Sequence, residues 1–374
     1  MKNEIKNDPR IVMTLDAGGT NFVFSAIQNN EQIIKPVRLH PNSDKLSKCL
    51  ETITKGFETI KNGLTEKPSA ISFAFPGPSD YLNGIIGNLQ NLPSFRGGVA
   101  LGPMLEHYFK IPVFINNDGN LFAYGEALFG NLPAINAALS EMKISRKHNN
   151  LIGITLGTGF GLGLVCNGQL VHGDNCNAGE AWLLRNVLNP EYHVEKHLSR
   201  EGIRRNYAEK ANLDICKVGS PLEIFKIGKG EKSGNRKAAI TTFNDFGTVL
   251  GEALANIITL FDGIVILGGG VSAAYELFAP AMFQQMNSSF KLYNNSHLKR
   301  LVPKVYNLED ENERTLFLKG QQKEITIPKT DKKINYDPFL RTGVGVSKNS
   351  TSKSIALGAF AFAIHKLDDA KNKN

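Results

Sequence analysis

Cysteine is scarce in this chain of 374 residues: Cys49, Cys166, Cys176 and Cys216 are scattered, with no CxxC or CxC pair. That spacing supports neither a disulfide framework nor a thiolate zinc site. Long apolar runs are missing as well. The most apolar stretch, around Ala253 to Phe261, is broken by Asp262 and falls short of the roughly 20 residues that span a bilayer. The opening MKNEIKNDPR is polar and mixed in charge, unlike an apolar export signal. A cytoplasmic protein with no membrane partner is therefore expected. The net charge of +8, from 43 basic and 35 acidic residues, suits either a nucleic-acid surface or the handling of anionic phosphates. Its densest stretches, 226–237 (KIGKGEKSGNRK) and 318–333 (LKGQQKEITIPKTDKK), carry no interleaved aromatics. They read as solvated faces, and no nucleic-acid partner is expected. What remains is an ordinary globular composition, 41% hydrophobic and 21% charged, which excludes global disorder and coiled coil. At roughly 150 residues per domain the length suggests two domains.

Two segments share one layout. Residues 11–39 (IVMTLDAGGTNFVFSAIQNNEQIIKPVRL) read as strand, glycine-rich turn, strand, polar tip and strand. Residues 151–173 (LIGITLGTGFGLGLVCNGQLVHG) repeat that order, with Asn167-Gly168 at the tip. An amphipathic helix follows each. Leu46, Leu50, Ile53, Phe57 and Ile60 line one helical face; Phe243, Phe246, Leu250, Leu254, Ile257 and Phe261 line the other. The second helix leads into the apolar strand IVILGGG at 264–270. Duplicated β-β-β-α-β units imply an α/β protein of two similar lobes facing a cleft. Strands are also expected over 69–75, ending at Pro76-Gly77-Pro78, and over 112–115. Helices are expected over 120–129, 193–210, 272–283 and 352–366, and a β-hairpin over 315–327 inserted in the second lobe.

The chemistry-bearing residues sit at the ends of these elements. Asp16-Ala17-Gly18-Gly19-Thr20-Asn21 joins two strands. Its glycines let backbone N–H groups approach an anion, and Thr20 and Asn21 add donors. Asp16 can organise a water or Mg²⁺ near bound phosphates. Gly157-Thr158-Gly159 repeats the device in the second unit, and Gly268-Gly269-Gly270 precedes a helix whose N-terminus suits a nucleotide. One glycine turn is commonplace; three at corresponding ends of duplicated units are specific. In Asn116-Asn117-Asp118-Gly119-Asn120, a strand meets a helix. Asp118 or Asn117 can simply cap that helix. Asp118 can also accept a sugar hydroxyl proton during attack on a γ-phosphate, and a helix N-terminus keeps such a carboxylate ionised.

The combination resembles the ROK family, sugar kinases within the actin-like (ribonuclease H-like) ATPase superfamily. The matching segments are DAGGTN (16–21), FPGPSD (75–80), NLQNLPSF (88–95), NNDGN (116–120), LGTGFG (156–161), NAGEAW (177–182), ILGGGVS (266–272) and ALGAFA (356–361). The resemblance implies two lobes of β-β-β-α-β-α-β-α units around a cleft, with a small lobe of residues 1–118 plus 352–374 and a large lobe of 119–351. It implies ATP-dependent phosphorylation of a hexose, glucose to glucose 6-phosphate, with ATP and Mg²⁺ and Asp118 as base. Gly18, Gly19, Thr20 and Asn21 with Gly157, Thr158 and Gly159 would hold phosphates, and Gly268, Gly269 and Gly270 would lie near the adenosine. Asn117 and Glu180 would bond sugar hydroxyls, with Gly77 and Asn91 in the same pocket and Glu195 matching a further acidic sugar ligand. The expected assembly is a homodimer.

Departures from the family pattern fall in one place. Members carry GEIGH and then a CxCGxxGC zinc loop; here the text is GEAWLLRNVLNPEYHVE, with Leu183 at the histidine's position and no cysteine from Ala178 to Asp214. No zinc is expected, and His193 is either structural or an imidazole supplied from elsewhere. Two other readings stand beside glucose: an N-acetylhexosamine kinase, and a non-catalytic sugar-sensing or regulatory ROK protein. A repressor needs a DNA-binding module before the first phosphate loop, where only ten residues precede Ile11. Asp118 and both phosphate loops argue against a protein that only binds sugar.

Overall fold

The computed structural model describes residues 5–17, 21–77, 79–87, 89 and 94–372. Strands β1 (Val12–Ala17), β2 (Phe22–Gln28), β3 (Glu31–Gln32) and β4 (Val37–Leu39) open the chain. Then come α1 (Leu46–Gly63), β5 (Ala70–Ala74), α2 (Leu101–Phe109), β6 (Val113–Asn116), α3 (Asp118–Leu128) and α4 (Asn131–Glu141). The second set runs β7 (Leu151–Leu156), β8 (Phe160–Cys166), β9 (Gln169–Leu170), α5 (Arg200–Ala211), α6 (Pro221–Lys229), α7 (Arg236–Leu260), β10 (Ile264–Gly268) and α8 (Tyr275–Met286). It ends with β11 (Ser289–Lys291), β12 (His297–Lys299), β13 (Lys304–Asn307), α9 (Glu311–Lys319), β14 (Lys323–Thr326), β15 (Lys333–Tyr336), β16 (Arg341–Val346) and α10 (Thr351–Lys371).

The duplication is visible in strand order. One sheet runs β3-β2-β1-β5-β6, with β4 also on β2; the other runs β9-β8-β7-β10-β16-β13. In each, the strand before the glycine turn is central and pairs in parallel with the strand after the helix: β1 with β5, β7 with β10. β5, β7 and β10 are buried along their whole length, as parallel strands covered on both faces must be.

By contacts the chain divides into two units, residues 1–130, 163–179 and 348–374 in one, and 131–162 and 180–347 in the other. This differs from the break expected at 118/119, because α3 packs on α10. In the first unit Ile53, Phe57 and Ile60 of α1 bury against Phe24 and Phe73, with Phe24 and Phe57 edge-to-face at 5.1 Å. In the second, the 25-residue α7 starts at Asn235, whose side chain accepts from the Ala238 N–H, and buries Phe243, Phe246, Leu250 and Leu254.

Three expected elements take a different form. The helix expected over 193–210 is broken: Val194–Lys196 is a single 3₁₀ turn, and Ser199 restarts the helix by accepting from the Gly202 N–H. The hairpin expected over 315–327 is instead α9, capped by Asp310 and burying Phe317 and Leu318, followed by a hairpin of β14 on β15. The helix expected from 272 begins at Tyr275, after a 3₁₀ turn over Gly270–Ala274. No helix among the described residues is long and apolar enough to cross a membrane.

Candidate active site

In the first unit the strand register brings the predicted acidic residues to one sheet edge. Asp16 of β1 lies opposite Ala74 of β5, and Ala74 lies opposite Asn116 of β6. The row ends the parallel strands at their carboxyl side, where open α/β sheets bind ligands. Asp16 accepts a hydrogen bond from the Ser352 hydroxyl at the start of α10.

Asn116 is fully buried and organises the turn that follows it. Its side-chain oxygen accepts from the Asn117 N–H at 2.8 Å and from Asn120 Nδ2 at 3.0 Å, while its Nδ2 lies 3.1 Å from His172 Nε2. Burial, and then the charge of Lys366, lower the His172 pKa. The lowered pKa favours the neutral ring, and since Asn116 Oδ1 already accepts two N–H bonds, its NH₂ group is the donor to His172 Nε2. Asn117 is the N-cap of α3, its side-chain oxygen accepting from the Gly119 N–H at 2.7 Å. The cap uses the amide oxygen and leaves the NH₂ group as the part that can donate to a ligand. Asp118 is the first residue of the helix and is exposed, although every residue from Gly119 to Leu128 is buried. Its carboxylate also accepts from the Gly119 N–H, at 2.9 Å. Of the two capping candidates, Asn117 is the N-cap and Asp118 is the exposed first residue of the helix.

Gly77 follows β5 with the Tyr81 hydroxyl occupying the place of a side chain, 2.3 Å from where a Cβ would stand. That hydroxyl donates to the Phe75 carbonyl at 3.0 Å. Asn21 is exposed immediately before β2. Gly18, Gly19, Thr20 and Asn91 lie outside the described residues.

In the second unit β10 runs beside β7 with Gly268 opposite Thr155, so the two glycine segments are neighbours. Gly269 has φ +90°, and a Cβ there would stand 2.2 Å from the Leu156 carbonyl oxygen; only glycine fits. A Cβ at Gly157 or Gly270 would meet nothing within 4 Å, which leaves their backbone open to close approach by a ligand. Beside Gly270 and Val271 an apolar hollow is lined by Leu222 and Phe225 of α6 and Phe243 of α7.

The β7–β8 turn is tied to the segment after it. The Phe160 N–H donates to Glu195 Oε2 at 2.8 Å, a Cβ on Gly159 would collide with that carboxylate at 2.4 Å, and the Arg200 N–H donates to the Gly157 carbonyl at 2.9 Å. Glu195 is therefore packed against the glycine turn itself. Glu180 accepts from the indole N–H of Trp182. Leu183, in the position where histidine is expected, is exposed. The segment that follows is held by hydrogen bonds: fully buried Asn186 reaches His197 Nδ1 at 2.7 Å and accepts from the Leu188 N–H at 3.0 Å, and Arg185 forms a bridge with His193. Burial lowers the His197 pKa, which suits an accepting ring nitrogen. Among the described residues no group of three or more His, Cys, Asp and Glu side chains is placed to hold a metal ion.

The geometry thus joins Asp16, Asn117 and Asp118 in one unit, and Gly157–Gly159, Gly268–Gly270 and Glu195 in the other. The ROK family model matches residues 12–312. The chain belongs to the ROK family. Its fold is that of the actin-like ATPase superfamily, as the resemblance implied. A glucokinase from Thermotoga maritima is 27% identical over 292 residues, 71% of this chain and 84% of that protein. An N-acetyl-D-glucosamine kinase from Vibrio cholerae is 28% identical over 285 residues, 71% of this chain and 86% of that protein. Among solved structures, a glucokinase from Parabacteroides distasonis is 50% identical, covers 96% of this chain and 99% of its own, and superposes with a TM-score of 0.87.

Several residues of this candidate site carry no signal in the sequence. Asn116 and Trp182 stand inside quoted motifs but gave no signal of their own, since what each holds is decided by a partner's position. His172 and Ser352 reach their partners from 56 and 336 residues away. Leu222 and Phe225 lie in α6, which carries no recognised motif.

Proposed function

We propose that this ROK-family chain transfers the γ-phosphoryl group of ATP to a hydroxyl of a hexose, converting glucose to glucose 6-phosphate. The observation that carries the reading is Asp118: an exposed carboxylate at the start of a buried helix, on the sheet edge that also holds Asp16. In this reading Asp118 takes the hydroxyl proton as the sugar oxygen bonds to the γ-phosphorus, and the bond to the bridging oxygen of ADP breaks. Asn117, Glu180 and Glu195 bond sugar hydroxyls, with Gly77 and Asn91 beside them, and so set the reacting oxygen in line. Gly18–Asn21 and Gly157–Gly159 receive the phosphates on backbone N–H groups. Gly268–Gly270 and the apolar hollow beside them take the adenosine.

Mg²⁺ prefers oxygen ligands and keeps several of its waters, which fits the Asp16 carboxylate oriented by Ser352. When bound with ATP it neutralises charge on the phosphates. The segment 180–198 is held by side-chain and backbone hydrogen bonds, and tetrahedral structural zinc needs four nitrogen or sulfur ligands. Purified protein is expected to carry no stoichiometric zinc and to recover full activity after chelation once Mg²⁺ is restored. Elemental analysis finding one zinc per chain would contradict this.

A panel of sugars in a coupled ADP-release assay tests the activity. N-acetylglucosamine and N-acetylmannosamine are the competing substrates, supported by the relationship to the Vibrio cholerae kinase. Because Glu195 accepts from the Phe160 N–H beside the Gly157–Gly159 turn, sugar at Glu195 and phosphate at the turn would be joined through one hydrogen bond. Sugar is therefore expected to tighten binding of a non-hydrolysable ATP analogue, and the effect to be reciprocal. At a hundredfold excess over Kd the sugar should stabilise the fold by about 2.7 kcal/mol. If no hexose raises the melting temperature or strengthens analogue binding, the phosphoryl acceptor is not a hexose.

A further inference from the structure

We propose that Trp182 is a positioning residue of the sugar site, holding the Glu180 carboxylate in its binding orientation with His193 behind it. The inference rests on the reading of Glu180 as a sugar ligand. Glu180 lies at the head of a short 3₁₀ turn, Ala181–Leu183, with no backbone cap to restrain its side chain. Among the described residues, the one side-chain hydrogen bond to its carboxylate comes from the Trp182 indole N–H. Indole nitrogen is a donor only, so the carboxylate is the acceptor in this contact. It occupies Oε2 and leaves Oε1 as the oxygen that meets a ligand.

The indole is itself set in place. The His193 ring packs edge-on against it, with centroids 5.4 Å apart and planes at 84°. The His193 backbone pairs with that of Arg185 in an isolated β-bridge, and the Val194 N–H donates to the Leu184 carbonyl at 2.8 Å. His193 Nδ1 is buried with no hydrogen-bond partner among the described residues. Such an atom costs stability, so Nδ1 does not anchor the ring. Two residues beyond His193, Glu195 binds the Phe160 N–H at the glycine turn. Trp182 thus contacts Glu180 directly, and its ring neighbour His193 lies two residues before Glu195.

Trp182 is the sole tryptophan of the chain, so its fluorescence reports this position alone. Titrating the full-length protein with glucose and N-acetylglucosamine should give a saturable change in emission. Trp182→Phe keeps a ring and removes the N–H. It should raise the KM for sugar about ten-fold, with kcat within about three-fold and the KM for ATP unchanged. In an E180Q background, W182F should add almost nothing, because the group it orients is already altered. His193→Ala keeps the donor and loosens it: it should shift the emission of the sugar-free protein and raise the KM for sugar about three-fold, and it carries the test if W182F does not fold. An unchanged sugar KM in E180Q overturns the assignment of Glu180 and this proposal with it. An impaired E180Q with a silent W182F, or W182F and E180Q effects that multiply in full, overturns the role of Trp182 alone.

Discussion

Asp118→Asn is expected to lower kcat by about 10²-fold or more, while the sugar still binds with a Kd within a few-fold of wild type. The amide keeps the shape and hydrogen-bond reach of the carboxylate but cannot take the hydroxyl proton. The substitution is structurally mild. Asn117 provides the cap of α3 through its own side chain, so Asp118 is not needed to start the helix. Its amide oxygen can still accept from the Gly119 N–H, as the carboxylate does at 2.9 Å. A melting temperature close to wild type together with the kcat loss would locate the defect in the chemical step. Turnover within a few-fold of wild type would reduce Asp118 to a helix-terminus residue.

Gly358→Ala should be the most damaging single methyl group in the first unit. A Cβ at Gly358 would stand 1.9 Å from the Leu121 carbonyl oxygen, and one at Gly125 would stand 2.0 Å from the Ser354 carbonyl oxygen. Helices α3 and α10 therefore touch backbone to backbone at Gly125 and Gly358. Beside the crossing, fully buried Glu126 accepts from the Ser354 hydroxyl at 2.6 Å. A methyl group here cannot be accommodated by a side-chain rotation, because the atoms it meets are backbone. Overpacking of this kind costs roughly 1–3 kcal/mol, or more where nothing can give, against about 1 kcal/mol gained from the better helix propensity of alanine. A net loss of about 2 kcal/mol is expected, seen as a lower melting temperature. Since α3 begins at Asp118, a shift of the helix also misplaces the base, and kcat should fall roughly ten-fold or more. Wild-type stability and turnover in this variant would show that the two helices do not meet so closely.

These two residues show how unevenly the site was legible. Asp118 stands out in the sequence because it sits between a strand and a helix in a run of small polar residues. Gly358 stands in the motif ALGAFA, where nothing local requires a glycine. The reason is a crossing with a helix more than 230 residues earlier in the chain, and no local pattern encodes that. The break at Ser199 was not foreseen for a related reason: the apolar spacing over 193–210 continues through it, and the cap bond to Gly202 decides the restart. The expected hairpin at 315–327 followed from alternating residues that a helix also tolerates when it can bury Phe317 and Leu318.

The sequence by itself determined the duplicated layout, its strands and the glycine turns, because alternation, helical spacing and glycine placement are local properties of the chain. It also singled out Asp16, Asn117 and Asp118 as polar residues at the ends of those elements, and the family resemblance added Glu180 and Glu195. Only the tertiary structure decided what each is held by: Asp16 by Ser352, Asn117 through buried Asn116 and His172, Glu180 by Trp182, Glu195 by the N–H beside the Gly157–Gly159 turn. A hydrogen bond is satisfied by whichever group the strand register and helix packing bring within about 3 Å. For Asp16, Asn116 and Glu195 that group comes from a distant part of the chain, so their orientation is a property of the fold and not of the residues on either side.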